Sequence, residues 1–289
     1  MLMSIASTTD DNNTVPLSVL YTSILENNSD VDFDFYIVND HLSAKNQNLL
    51  KAFPKVFKNC QSVSFLDETS GYYAKANASS PDSAIKKNTY YRIEIPEQVD
   101  VPRLLYLDCD MVCLGDLKTL WETDLHGQVV GAVEDQGYVK RLQEMGIDAR
   151  PGRYFNAGLL LIDVVRWRAE NITEKTRKLC NEHPEKLRYQ DQDALNAIFE
   201  GDWVYINPKY NLQSHLAKGE GGKNPLVERQ AIEQVALDAP IIVHYTNFDK
   251  PWLVKENHLH PLLQYYYDYL DCLIHAFGDF ITTEIPINE

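Results

Sequence analysis

The amino-acid sequence predicts an α/β protein with a single domain, a mostly parallel, doubly wound central sheet and a helical C-terminal tail. Short apolar runs alternate with segments of helical periodicity from the first residues onwards, and this alternation is typical of parallel strands joined by helices. Residues 104–107 are apolar at four consecutive positions, as expected for a strand buried on both faces. A chain of 289 residues can bury the core that such a sheet requires.

The predicted elements follow one another along the chain. A first strand is expected at residues 3–7, and a helix follows because the apolar residues of 17–25 recur at helical spacing after Pro16. Later strands are expected at residues 33–37, 62–66, 104–107, 129–134, 154–162, 204–206 and 241–245. Later helices are expected at residues 43–57, 83–99, 165–181 and from 189 onwards. We assign residues 1–256 to the main domain and residues 257–289, with an aromatic-rich helix at 259–280, to a tail.

The composition excludes several classes of protein. The formal net charge of −15 argues against a nucleic-acid partner, which requires a basic surface. No run approaches the roughly 18 apolar residues of a transmembrane helix, and no signal peptide is visible, so we expect a cytoplasmic protein. The five irregularly spaced cysteines are expected to be free thiols. For the aromatic tail, a weak peripheral membrane contact and a homo-oligomer interface are open alternatives.

Glycine-rich phosphate loops are missing from the sequence. A dinucleotide-binding fold would place Gly-x-Gly-x-x-Gly after the first strand, and a P-loop would contain Gly-Lys-Ser/Thr. Neither motif occurs, and no Gly-x-Ser-x-Gly elbow of a serine hydrolase is found. A phosphate-containing ligand would therefore need a metal ion or individual basic side chains.

Polar side chains follow several of the predicted strands, where the carboxyl ends of a parallel sheet meet at one edge. They are Asp10 and Asn12, Asp108 and Asp110, Asp135, and His244. Asp108 and Asp110 are spaced i and i+2 and project to the same side. Two carboxylates suit Mg²⁺ or Mn²⁺, and an added imidazole favours Mn²⁺. For His244 the alternative of a merely hydrogen-bonded histidine stays open, and His258 and His260 are expected on the surface.

Four motifs in this order resemble the family 8 glycosyltransferases, which include bacterial lipopolysaccharide galactosyltransferases, general stress proteins and glycogenin. They are Leu-Tyr-Leu-Asp-Cys-Asp at 105–110, Tyr-Phe-Asn-Ala-Gly at 154–158, Tyr-Gln-Asp-Gln-Asp at 189–193, and His244-Tyr245 followed by Lys-Pro-Trp at 250–252. The resemblance extends from residue 4 to about residue 252.

The resemblance implies a GT-A fold and a Mn²⁺-dependent, retaining transfer of a hexose from a UDP-sugar, with Mg²⁺ as the alternative metal. It implies three groups of residues in the binding site. The expected metal ligands are Asp108, Asp110 and His244. The nucleotide and its diphosphate are expected to contact Ala6, Thr8, Asp10, Asn12, Asn247 and Lys250. The transferred hexose is expected to contact Arg92, Asp108, Asp135, Asn156, Ala157, Asp191 and Gln192.

Gln192 and Asp191 are the expected catalytic residues. Retaining glycosidases use a carboxylate nucleophile, whereas glutamine is a poor nucleophile, so we favour attack by the acceptor on the front face of the sugar. Gln192 and Asp191 would then stabilise an oxocarbenium-like state. An N-cap role is the alternative for Asp191. Asn247 differs from the glycine found in the related galactosyltransferases, so its effect on the diphosphate is open.

The sequence therefore predicts an enzyme that moves galactose or glucose from a UDP-sugar to a hydroxyl group of a glycan, glycolipid or glycoprotein acceptor. One alternative is a self-glycosylating protein that resembles glycogenin, with a tail tyrosine as acceptor. The other is a protein that binds a UDP-sugar without turnover.

Overall fold

The computed structural model describes residues 1–73, 87–220, 224–246, 248–253 and 259–278. Its strands form two sheets. The large sheet consists of β1 (Leu2–Thr9), β2 (Asp32–Asn39), β3 (Cys60–Leu66), β4 (Arg103–Leu107), β6 (Val130–Glu134), β7 (Phe155–Asp163) and β8 (Val204–Tyr205). The small sheet consists of β5 (Met111–Cys113), β9 (Leu212–Gln213) and β10 (Ile242–His244).

The order of the seven strands in the large sheet is β3-β2-β1-β4-β7-β6-β8. Pairing is parallel from β3 to β4 and between β6 and β8, as predicted, but β7 is antiparallel to both of its neighbours. The reversal places the start of β7 beside the carboxyl end of β4, where the amide of Asp108 donates to the carbonyl of Gly158 at 2.8 Å. The start of β7 and the end of β4 therefore share one edge of the sheet.

The strand that carries His244 lies in the small sheet, so its expected place in the large parallel sheet is wrong. β10 pairs antiparallel with β5 and parallel with β9. β5 follows Asp110 directly, and the register places His244 opposite Met111. Backbone pairing with β5 thus places His244 next to the aspartate pair. The hydrophobic pattern of the sequence does not predict this pairing.

Several helices are shorter in the structure than the sequence predicts. The α-helices are α1 (Thr14–Asn27), α2 (Ala44–Lys51), α3 (Phe53–Val56), α4 (Ile95–Gln98), α5 (Lys118–Trp121), α6 (Arg141–Glu144), α7 (Val164–Ala169), α8 (Ile172–Glu182), α9 (Gln190–Phe199), α10 (Ser214–Ala217), α11 (Val227–Asp238) and α12 (Leu263–Phe277). Turns of 3₁₀ helix occur at Asp11–Asn13, Ser70–Tyr73, Lys87–Ile93, Gln136–Tyr138, Pro184–Lys186 and Pro208–Tyr210.

Local chain chemistry explains where the predicted helices divide. The helix expected at 43–57 is split into α2 and α3 next to Pro54, whose ring cannot continue the hydrogen-bond ladder. The helix expected at 165–181 breaks at Asn171, which has a left-handed φ of 54°. The first residues of the helix expected at 83–99 lie outside the described residues, and the described part forms a 3₁₀ turn and α4 instead of one continuous helix.

Both faces of the large sheet are covered by apolar clusters, which confirms the doubly wound α/β prediction. One cluster includes the fully buried Leu20 of α1 and Leu273 of α12. The other cluster contains Tyr106, Trp167 and Leu195, all fully buried. The described part of the chain contains no helix that is both long and apolar enough to cross a bilayer.

The tail helix α12 packs on the main domain. Tyr266 and Leu273 are buried, and the ring of Phe277 lies 5.0 Å from that of Phe53. Tyr269 accepts a hydrogen bond from the side chain of Asn27 in α1. The hydroxyl of Tyr267 donates to the carbonyl of Pro251 at 2.9 Å, and Tyr265 is 36% exposed.

We expect Leu273→Ala to lower the free energy of unfolding by about 2–5 kcal/mol, because it removes a fully buried side chain and leaves a cavity. Urea unfolding of the whole chain measures the loss. The neighbouring Cys272 is exposed, so Cys272→Ala should change the free energy of unfolding by less than about 0.5 kcal/mol. Equal unfolding midpoints for the two variants would contradict the packing of α12.

Candidate active site

The two aspartates that follow β4 have their carboxylates close together. Asp108 accepts a hydrogen bond from the hydroxyl of Tyr106 at 2.7 Å. The side chains of Asp108 and Asp110 are 23% and 17% exposed, so both carboxylates are accessible to a ligand although mostly buried. This arrangement agrees with the expectation from the i, i+2 spacing.

His244 lies beside both aspartates. Its Nε2 atom is 3.1 Å from Asp110 Oδ1 and 3.8 Å from Asp108 Oδ2. One ligand atom from each of the three residues can be chosen so that all lie within 4.8 Å of one another. Asp110 Oδ1 is buried, and apart from its contact with His244 it has no hydrogen-bond partner among the described residues. This oxygen could bind a divalent cation, and two carboxylates with one imidazole are a set of ligands that suits Mn²⁺.

Lys250 lies on the other oxygen of Asp110. Its ammonium group donates to Asp110 Oδ2 and to the carbonyl of Tyr245. Burial raises the pKa of Asp110, but Lys250 and His244 outweigh burial and hold that pKa below its ordinary value. Asp110 is therefore ionised, which is the form that binds a metal.

Arg92 connects the aspartate pair to the start of α9. Its side chain is buried, with Nη2 3.1 Å from Asp108 Oδ1 and Nε 2.9 Å from Asp191 Oδ2. Burial raises the pKa of Asp191, and the charge of Arg92 opposes that shift. The N-cap of α9 is Tyr189, so the alternative that Asp191 serves as N-cap is wrong. The preceding Gln190 has a φ of 49°, an uncommon value for a residue other than glycine.

The side-chain amide of Gln192 makes four hydrogen bonds. Its Oε1 accepts from the backbone amide of Ala157 at 3.0 Å and from Asn156 Nδ2 at 3.3 Å. Its Nε2 donates to Asp135 Oδ2 at 3.0 Å and to the hydroxyl of Tyr154 at 3.2 Å. An amide has two donor hydrogens and two acceptor lone pairs. Gln192 therefore uses all of its hydrogen-bonding capacity and is held in one orientation.

The residues expected along the nucleotide lie at the end of β1. Ala6 is fully buried within the strand, and Thr8 is 7% exposed with its hydroxyl 3.2 Å from that of Tyr106. Asp10 accepts from the backbone and side chain of Asn13 at 3.0 and 2.7 Å, and Asn12 is exposed. Asn247 lies outside the described residues.

Sequence patterns did not identify two polar residues that support the site. Asn211 is fully buried and bonds to both Asn156 and His244. His260, which was expected on the surface, is 2% exposed and lies 3.0 Å from the hydroxyl of Ser214. Neither residue lies in a recognisable motif, because each is brought to the site by packing between distant segments.

Known proteins resemble this chain over most of its length. A family model described as glycosyl transferase family 8 matches residues 4–256. General stress protein A of Bacillus subtilis is 34% identical over 275 residues, which cover 93% of each chain. A lipopolysaccharide 1,2-glucosyltransferase of Escherichia coli is 26% identical over 91% of this chain and 76% of its own.

A solved structure has the same fold. It is the galactosyltransferase LgtC in complex with donor and acceptor sugar analogs, with a TM-score of 0.80, 24% identity and coverage of 93% of this chain and 96% of that chain. The chain belongs to glycosyl transferase family 8, and its fold is of the GT-A type. It is accordingly a glycosyltransferase, and its aspartate–histidine cluster is consistent with a divalent metal site.

We expect Gly158→Ala to weaken Mn²⁺ binding by about 10- to 100-fold, the range seen when the surroundings of metal ligands are disturbed. A Cβ atom at Gly158 would collide with the ring of His244 and lie 2.8 Å from Asp108 Oδ2. Titration with Mn²⁺ by electron paramagnetic resonance measures the affinity. Gly115→Ala is the control, because a Cβ there meets only Ile241 at 3.7 Å. Unchanged Mn²⁺ affinity in Gly158→Ala would contradict the cluster as the metal site.

Glu134, next to Asp135 in the sequence, is a buried carboxylate whose Oε1 has no hydrogen-bond partner among the described residues. Burial raises the pKa of Glu134 to about 7, although Arg229 lies 3.0 Å away and opposes the shift. The folded protein thus holds a proton that unfolded glutamate releases near its ordinary pKa of about 4.3. The contribution of Glu134 to the free energy of unfolding therefore falls as pH rises from about 4.3 to about 7.

We expect Glu134→Gln to gain stability relative to the unmodified protein as pH rises from about 5 to about 8. Urea unfolding across this range measures the difference. Glu228→Gln removes an exposed carboxylate beside Arg229 and should give a curve parallel to that of the unmodified protein. If the Glu134→Gln curve is also parallel, Glu134 does not retain its proton in the folded state.

Proposed function

We propose that the protein is a retaining hexosyltransferase that moves galactose or glucose from a UDP-sugar to a hydroxyl group of a glycan or glycoconjugate acceptor. Mn²⁺ is the proposed cofactor, with Mg²⁺ as the alternative. The observation that carries the proposal is the placement of two groups at one sheet edge. The metal-type cluster of Asp108, Asp110 and His244 is joined through Arg92 to the network around Asp191 and Gln192.

The donor would extend along this edge from β1 towards Gln192. Ala6, Thr8, Asp10 and Asn12 would lie along the uridine, as in the expectation from the motifs. Lys250 would contact the diphosphate, since its ammonium group already lies at the cluster on Asp110. Asp108, Asp110 and His244 would hold the metal ion. A bound divalent cation would supply positive charge that stabilises the diphosphate leaving group.

The hexose would lie between the cluster and α9. Its proposed contacts are Arg92, Asp108, Asp135, Asn156, Ala157, Asp191 and Gln192. Asp135 is suited to accept a hydrogen bond from a sugar hydroxyl, because Asn156 and Gln192 already hold its Oδ2 atom in place. Arg92 neutralises Asp108 and Asp191 at the same time, so the pocket can hold two carboxylates close to an anionic donor.

The reaction would take place on one face of the sugar. The bond between the anomeric carbon and the phosphate oxygen breaks, and the acceptor oxygen bonds to the anomeric carbon on the same face. The acceptor proton passes to the departing phosphate oxygen, so atoms and charge balance. Gln192 is a poor nucleophile and its amide is fully hydrogen-bonded. Its fixed dipole and the carboxylate of Asp191 would instead stabilise the positive charge that develops on the sugar ring.

We expect Gln192→Ala to lower kcat by about 100-fold or more, the scale of losing one preorganised polar group in an active site. UDP release from UDP-galactose and UDP-glucose, measured with Mn²⁺ and a panel of acceptor glycans, gives the rate and the donor preference. Calorimetry with UDP and Mn²⁺ should show unchanged affinity. Gln143→Ala removes an exposed amide and serves as the control.

Nearly full turnover of Gln192→Ala, with native metal and donor affinity, would exclude the proposed role of Gln192. Absence of UDP release from every donor by the unmodified protein, together with tight UDP binding, would favour the binding protein without turnover. Intact mass after incubation with donor tests self-glycosylation. Hexose-sized increments would support that alternative for the exposed Tyr265.

A further inference from the structure

Asn211 is a fully buried residue between the 3₁₀ turn Pro208–Tyr210 and β9. Its side chain lies between the sugar side and the metal side of the site. Its Nδ2 donates to Asn156 Oδ1 at 3.0 Å, and its Oδ1 is 2.9 Å from His244 Nδ1. Because Asn156 also bonds to Asp135, a chain of two amides connects Asp135 to His244.

The direction of each hydrogen bond in this chain follows from one backbone group. The backbone N–H of Gly158 can only donate, and it lies 3.0 Å from the side-chain oxygen of Asn156. That contact fixes the oxygen of Asn156, so the atom of Asn211 facing it must be the donor Nδ2. The carbonyl oxygen of Asn211 therefore faces His244. An amide oxygen only accepts, so His244 Nδ1 must carry a proton.

The position of this proton decides which nitrogen of His244 can bind a cation. When a cation binds and displaces any proton from Nε2, an imidazole that keeps its proton on Nδ1 offers the lone pair of Nε2. Nε2 is the atom that faces Asp110 Oδ1 at 3.1 Å and Asp108 Oδ2 at 3.8 Å. Histidines that bind metals usually donate their other N–H to a fixed acceptor, which orients the ring and fixes the tautomer.

We propose that Asn211 is the positioning residue of the metal site: it holds the proton of His244 on Nδ1 and so presents Nε2 to the cation. The inference rests on the proposed function in one respect, namely that the cluster binds Mn²⁺. Without Asn211, the Nδ1 proton would be buried with no acceptor, which is costly. The proton would move to Nε2 and bond to Asp110 Oδ1, and that tautomer has no lone pair for the metal.

Mn²⁺ affinity, measured by electron paramagnetic resonance without nucleotide or sugar, tests the proposal. Asn211→Leu should weaken binding by about 10- to 100-fold. Asn211→Asp keeps an acceptor for Nδ1 and should recover most of the loss. Gln213→Leu is the control, since this buried amide two residues further on bonds to the Glu134 carbonyl instead. Native affinity in Asn211→Leu would overturn the proposal.

Nuclear magnetic resonance of the metal-free protein with ¹⁵N-labelled histidine gives a second readout that needs no stable Asn211 variant. We expect a slowly exchanging Nδ1–H signal of His244, assigned by its loss in His244→Gln. The signal should be absent in Asn211→Leu and present in Gln213→Leu. A protein whose His244 carries its proton on Nε2 alone would contradict the proposal. If the unmodified protein shows the Nδ1–H signal but binds no Mn²⁺, the proposed cofactor is refuted and the tautomer assignment stands.

Discussion

The burial of several carboxylates at one sheet edge is the constraint on which the site depends. A buried carboxylate costs several kcal/mol unless a cation or hydrogen-bond donors compensate for its lost hydration. Arg92 compensates the charge of two carboxylates at once, because its guanidinium contacts both Asp108 and Asp191. Lysine could not take this position equally well, since it lacks the planar fork and loses its proton more readily when buried.

The reversed direction of β7 brings backbone amides to the same edge of the sheet. An antiparallel β7 begins at the edge where β4 ends, so the backbone amides of Ala157 and Gly158 face the site. These amides fix the orientation of Gln192 and of Asn156, respectively. A parallel strand would deliver its start to the opposite edge and leave both side chains without backbone anchors. The strand direction thus determines which polar atoms of the pocket point towards a ligand.

Local patterning was sufficient for the strands of the large sheet and for the aspartate pair, but it did not predict β5 and β9 of the small sheet. An apolar run followed by carboxylates at i and i+2 predicts a strand, the position of its end and a common side for Asp108 and Asp110. Each of these features depends only on residues that are adjacent in the sequence. His244 was expected at the same edge for an incorrect reason, because its strand belongs to the small sheet. The helix divisions at Pro54 and Asn171 depend on single residues within otherwise continuous periodicity.

Asn211 and His260 could not be predicted from the sequence because their roles depend on contacts between distant segments. Asn211 bonds to residues 55 positions before it and 33 positions after it. An isolated asparagine in a polar segment is more often part of a turn than of a buried network. Only the folded chain shows that both of its side-chain atoms have partners.

The start of the tail supports the strand that carries His244. His260 Nδ1 accepts from the amide of Leu262 at 3.1 Å, so its Nε2 carries the proton and donates to the hydroxyl of Ser214. That hydroxyl in turn donates to the carbonyl of His244 at 3.4 Å.

Burial, assisted by Lys218, lowers the pKa of His260 to about 4. The ring is therefore neutral near pH 7, and Nδ1 keeps the lone pair that accepts from Leu262. Tyr245 also donates to the carbonyl of Leu262 at 2.9 Å. The sequence division at residues 256 and 257 falls outside the described residues and stays a prediction. The contacts on either side of it nevertheless join the tail to β10. The start of the tail is accordingly linked by hydrogen bonds through Ser214 to the backbone of His244, one of the three proposed metal ligands.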